Sequence, residues 1–132
     1  MTDAEFTDAF EMGNLAPADF DHRAHLRAAF CLLRRGPFLE ACVAMRDGVQ
    51  GIARRAGRPG LYHETITIAV MSIVAQRLAD QPGAAWAEFF AAHPDLTDRA
   101  LLGRWYARET LESPQARTQF VLPDPRPQPE AA

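Results

Sequence analysis

The chain contains no lysine: all 14 of its Lys+Arg residues are arginine. With abundant alanine this reads as a coding bias and points to no mechanism. Cysteine is nearly absent, with Cys31 and Cys42 alone and no CxxC pair, so a disulfide framework is not implied. Cys42 falls on an apolar stripe and reads as a small core residue. No apolar run approaches the roughly 20 residues that span a bilayer, so no membrane partner is expected. An excess of positive charge is also missing. The formal net charge is −3, which disfavours nucleic acid as a partner. The acidic start, Met1-Thr2-Asp3-Ala4-Glu5-Phe6, has neither the basic residues nor the apolar stretch of a signal peptide, and the expected compartment is the cytoplasm. No segment shows convincing strand alternation, and no internal repeat or domain boundary is visible.

What remains is helical. With 132 residues, 48% hydrophobic and 23% charged, the chain suits one domain around one core. The expectation is an all-α bundle of five to six helices over residues 1–122, followed by a proline-rich, extended tail over 123–132. A first helix is expected over about residues 2–12, ended by Gly13-Asn14. A second follows Asp19 or Asp21 as N-cap and stops at Gly36. Pro37 starts a third with the stripe Phe38, Cys42, Met45, Val49 and Ile52, in which Gly48 and Gly51 either weaken the helix or allow close packing. The fourth, over about residues 63–79, is apolar nearly all round and belongs at the centre. A fifth carries Trp86, Phe89 and Phe90 and ends near His93-Pro94. Thr97 is expected to cap a sixth, holding Leu101, Leu102, Trp105 and Tyr106, and Pro114 to open a last short turn.

Three of the four histidines stand where such helices would place leucine. His22 and His25 continue toward the helix start the stripe of Leu26, Ala29 and Leu33; His63 does the same for Ile66, Val70 and Ile73. Polar groups aimed at a core need partners. His22 and His25, three apart, offer two imidazoles to one point, and His63 joins them if the second and fourth helices are neighbours. Three histidines with an open fourth position suit a divalent metal, zinc foremost. Glu64 would be a fourth ligand or a general base on bound water, and Tyr62, Thr67, Tyr106 and Arg117 would contact substrate. His63-Glu64 is half of HExxH, but Thr67 stands at the second histidine position. A di-iron site lacks the inward carboxylates it needs.

The leading expectation is therefore a mononuclear metal site in a small metal-dependent enzyme. The alternative is a metal-free helical module that binds a small molecule or a partner, with the histidines in a structural polar network. His93 is expected to compensate a helix dipole, and Arg54, Arg55 and Arg58 to solvate a helix end. Arg117 and Asp124 are expected to pair and hold the tail. An exposed apolar helix stripe would make a homodimer.

Three motifs stand in order along the chain. Phe20 precedes His22-x-x-His25-Leu26. Gly60 precedes Tyr62-His63-Glu64-Thr65-x-Thr67. Trp105-Tyr106 precedes Leu111-x-Ser113-Pro114-x-Ala116-Arg117 and Pro123-Asp124. In these residues the chain resembles a family of small, uncharacterised bacterial helical proteins. The likeness covers nearly the whole chain. It departs at Leu61, inserted between glycine and tyrosine, and at Trp105-Tyr106-Ala107, where the family pattern has Tyr-Tyr-Ser. The resemblance implies a stand-alone protein of this size and carries no activity.

Overall fold

The computed structural model describes residues 1–125 and is all-helical, with no strand among them. The last residues of the expected tail, 126–132, lie outside the described residues.

Helix α1 (Asp3–Met12) starts where its sequence says it should. Thr2 and Glu5 form a reciprocal capping box, each side chain accepting from the other's backbone N–H. Gly13, at φ 75°, closes the helix in the left-handed conformation that glycine adopts freely. Helix α2 (His22–Arg35) is capped by the Asp21 carboxylate, which accepts from the Ala24 amide at 2.8 Å. Its last turn ends in Arg34 and Arg35, and Arg35 pairs with Asp8 and Glu11 to tie α2 to α1.

Pro37 precedes α3 (Phe38–Arg55), which crosses α1 where Gly48 leaves room for the Phe10 ring. A β-carbon at Gly48 would lie 2.2 Å from that ring. Of the two readings open for this glycine, close packing is the one realised. Leu39 and Val43, one turn apart on α3, are 74% and 47% exposed. Helix α4 (Glu64–Asp80) packs against α2, α3, α7 (Pro114–Thr118) and the turn at Leu101–Arg104, which is the central place its apolar sequence demands. Helix α5 (Trp86–Ala92) buries Trp86 and Phe89 against Phe30 of α2.

The region after α5 departs from expectation. The sixth helix expected from Thr97 is two single turns of 3₁₀ helix, Pro94–Thr97 and Leu101–Arg104. The Thr97 hydroxyl bonds back to the Pro94 carbonyl instead of capping a helix. Gly103, a weak helix former, sits inside the second turn, and the Leu102 carbonyl receives the amides of both Trp105 and Tyr106. Helix α6 (Arg108–Glu112), with no marked apolar period, follows unannounced.

The main core is one cluster drawn from α1 to α5 and the turn ends. A smaller one, Ala69, Leu102 and Tyr106, lies beside Val121 of the C-terminal segment. Cys31 and Cys42 are buried and free. No described helix is long and apolar enough to cross a membrane.

Candidate functional site

Helices α2 and α4 are neighbours, and the three histidines line one cavity of about 180 Å³ with Tyr62 and Thr67. The first residues of the two histidine stripes, Leu26, Ala29, Ile66 and Val70, form part of its wall. Met45 and Val49 of α3 and Met71 of α4 complete it. Leu61 and Ile66 are partly exposed and mark its mouth.

The histidines reach this cavity in three different states. His63 is the N-cap of α4: its Nδ1 accepts the Ile66 amide at 3.1 Å. That bond requires a lone pair on Nδ1, so the proton of the neutral ring sits on Nε2 and is donated to the Leu111 carbonyl at 2.6 Å. Both nitrogens are thereby spent on structure. His22 is exposed and directs Nε2 to the Leu96 carbonyl at 3.0 Å. His25 has no hydrogen bond to any described residue. Its ring lies against Phe20, centroids 4.8 Å apart. Burial, with a smaller contribution from neighbouring His22, pulls its pKa down to about 4, so it is neutral at physiological pH.

Glu64 does not face the histidines. Its carboxylate accepts the Tyr62 hydroxyl at 2.5 Å and lines a separate, open cleft with Arg46 and Arg117. Tyr62 lines both spaces, and burial, followed by the Glu64 bond, pushes its phenol well above the usual range.

Of the expected donor set, His22, His25 and His63 share one cavity, while Glu64 lines another. Metal coordination through Nε2 of His63 would put a proton on Nδ1, against the Ile66 N–H. Glu64 opens elsewhere. Among the described residues, no three His, Cys, Asp or Glu side chains form a group that could hold a metal ion.

Other expected contacts are also placed elsewhere. Tyr106 is buried in the smaller core cluster and donates its hydroxyl to the Val121 carbonyl at 2.8 Å, away from the cavity. Arg117 does not pair with Asp124. It donates to the Gly60 carbonyl at 2.9 Å, fixing the turn Pro59–Leu61. Asp124 instead accepts from the Thr110 hydroxyl and the Ala107 amide, capping α6 from a distance in sequence. His93 bonds Gln81 and approaches Arg77, whose guanidinium makes a two-point contact with Asp95. It belongs to a side-chain network as well as to a helix end. Arg55 donates to the Leu15 carbonyl.

Two contributors carried no sequence signal. The Leu96 and Leu111 carbonyls that hold His22 and His63 come from backbone far along the chain. Thr65, fully buried, donates to the Gln119 carbonyl and accepts the Val121 amide, pinning the C-terminal segment over α4. No family model matches the chain, and no curated protein or solved structure is significantly similar to it.

Proposed function

We propose that the protein binds a small, mainly apolar molecule carrying one hydrogen-bonding group, in the cavity between α2, α3 and α4, without a metal. The observation that carries this reading is His25: a neutral imidazole, uncommitted to any described residue, on the wall of an apolar cavity. A neutral imidazole offers one donor and one acceptor, and a small pocket with few polar groups takes its specificity from them. An apolar protein cavity of roughly 150 Å³ is enough to hold benzene, so about 180 Å³ suits a single ring or a short branched chain.

On this reading His63 and His22 shape the cavity while His25 addresses the ligand. The C-terminal motifs that resemble those of the small bacterial family serve the scaffold. Ser113 caps α7, Pro114 opens it, Ala116 is fully buried and Asp124 caps α6.

The test is NMR titration of uniformly ¹⁵N-labelled protein with phenol and with benzene. Phenol is expected to shift amides around the cavity saturably and to bind more tightly than benzene, with the difference abolished in His25→Leu. Absence of saturable shifts with both ligands would overturn the reading. So would about one equivalent of zinc or another divalent metal in tag-free protein purified without added metal.

A further inference from the structure

Tyr62 has an open space on each side. One is the histidine cavity. The other is the cleft lined by Arg46, Gln50, Gly60, Glu64 and Arg117. The segment that separates them, Pro59–Tyr62, is short, and Leu61 at the mouth of the histidine cavity is 53% exposed. Tyr62 borders both spaces, and the exposed Leu61 beside it lies on the wall of the histidine cavity.

The cleft has a definite electrostatic character. It holds two guanidinium groups against one carboxylate, and that carboxylate, Glu64, already accepts the Tyr62 hydroxyl. Arg117 uses one N–H on the Gly60 carbonyl. Arg46 makes a 3.5 Å contact with its sequence neighbour Asp47. Each guanidinium carries five N–H donors, and among the described residues most of them are left for a further acceptor. Planar guanidinium groups match carboxylates through paired, charge-assisted hydrogen bonds. A ligand with only an apolar body would leave this cleft unused.

We propose that the ligand is an amphiphilic carboxylate: a ring-sized apolar body in the histidine cavity, a short spacer passing Tyr62, and a carboxylate held by Arg46 and Arg117. This rests on the reading of the histidine cavity as a ligand site and adds the class of ligand. His25 addresses the body and the two arginines the head. Arg117 has a second role, since its bond to Gly60 holds the rim between the two spaces.

The experiment compares 3-phenylpropionate with 3-phenylpropan-1-ol, which differ in the charged head alone, by titration calorimetry at low ionic strength. The carboxylate is expected to bind about tenfold more tightly, because hydrogen bonds to charged groups are worth more than neutral ones. In Arg46→Gln, which removes no bond to another element among the described residues, the carboxylate should lose more affinity than the alcohol, so that the advantage shrinks with Arg117 still in place. Arg117→Lys, which keeps the charge but not the planar fork, should lose part of it. Equal affinities in the unmodified protein would overturn the proposal, as would an advantage that survives both Arg46→Gln and Arg117→Gln. Phenol binding with neither phenylpropyl probe bound overturns the carboxylate alone. Failure of all three probes overturns the cavity reading as well.

Discussion

His63 holds Leu111 through its Nε2–H and the first turn of α4 through its Nδ1, so one imidazole joins the central helix to α6. The two bonds fix each other's polarity: accepting at Nδ1 forces donation at Nε2. A histidine N-cap is unusual beside serine, threonine, asparagine and aspartate, and the longer side chain explains the choice. It caps its own helix and still reaches a carbonyl 48 residues away.

Replacing His63 with alanine should therefore cost two bonds together. A lost N-cap costs about 1 kcal/mol, and the part-buried Leu111 carbonyl left without its donor adds about 1–3 kcal/mol at most. The expected loss is about 2–4 kcal/mol in urea unfolding. His63→Asn should recover about 1 kcal/mol of it by capping without reaching Leu111. Equal stability of the alanine and asparagine variants would contradict this assignment of roles.

Much of this arrangement is legible in sequence, and the boundary has a physical cause. The stripes that His22, His25 and His63 extend are local and periodic, and in the structure the three histidines line one cavity. Asp21, Gly13 and Gly36 set helix ends for the same local reason. Residue identity did not reveal what each imidazole is bonded to. Those partners are backbone carbonyls at Leu96 and Leu111, and any residue supplies a carbonyl. Glu64 neighbours His63 in sequence, yet lines the other space, because His63 is the extended N-cap and Glu64 the first helical residue, so their side chains leave the backbone in different directions. The Leu101–Tyr106 segment shows the converse error. Its spacing is helical, but Gly103 and the bonds converging on the Leu102 carbonyl leave it a single tight turn.

Thr65→Val changes shape little but removes a hydroxyl that is fully buried and used twice. It leaves the Gln119 carbonyl without its donor and the Val121 amide without its acceptor. The expected loss is about 1–2 kcal/mol, since Gln119 is exposed and water can replace its donor, with hydrogen exchange at Val121 and Asp124 faster than in the unmodified protein. Unchanged exchange at both amides would show that Thr65 does not hold the C-terminal segment.

Gly48 and Gly51 occupy the same helix and should respond to alanine with opposite signs. At Gly48 the new methyl would meet the Phe10 ring, which is 1% exposed and has little room to yield. Overpacking of this kind costs about 1–3 kcal/mol, more than the helix propensity gained. At Gly51 the nearest atom is the end of the Arg55 side chain at 3.4 Å. There the propensity gain of about 0.5–1 kcal/mol should appear as added stability. Thermal unfolding of the two single variants checks both signs.

His25 should make the fold sensitive to acid in a defined window. Burial lowers its pKa from the usual 6.5 of a histidine to about 4, and the groups facing it from α2 and α4 are His22 and His63, with Tyr62 beside α4. A folded pKa below the unfolded one means that the unfolded chain takes up the proton first. The stabilising effect of the neutral ring is thus complete above about pH 6.5 and drains away as the pH falls toward 4. At 1.36 kcal/mol per pKa unit, the loss between pH 7 and pH 4 is about 3 kcal/mol. His25→Leu should lack this component while keeping the acid sensitivity of the carboxylate groups, so the informative quantity is the difference between the two urea-unfolding curves at each pH. That difference should shift by about 3 kcal/mol in favour of the leucine variant across the window. Parallel pH profiles would mean that the His25 ring is better solvated than its position against Phe20 implies.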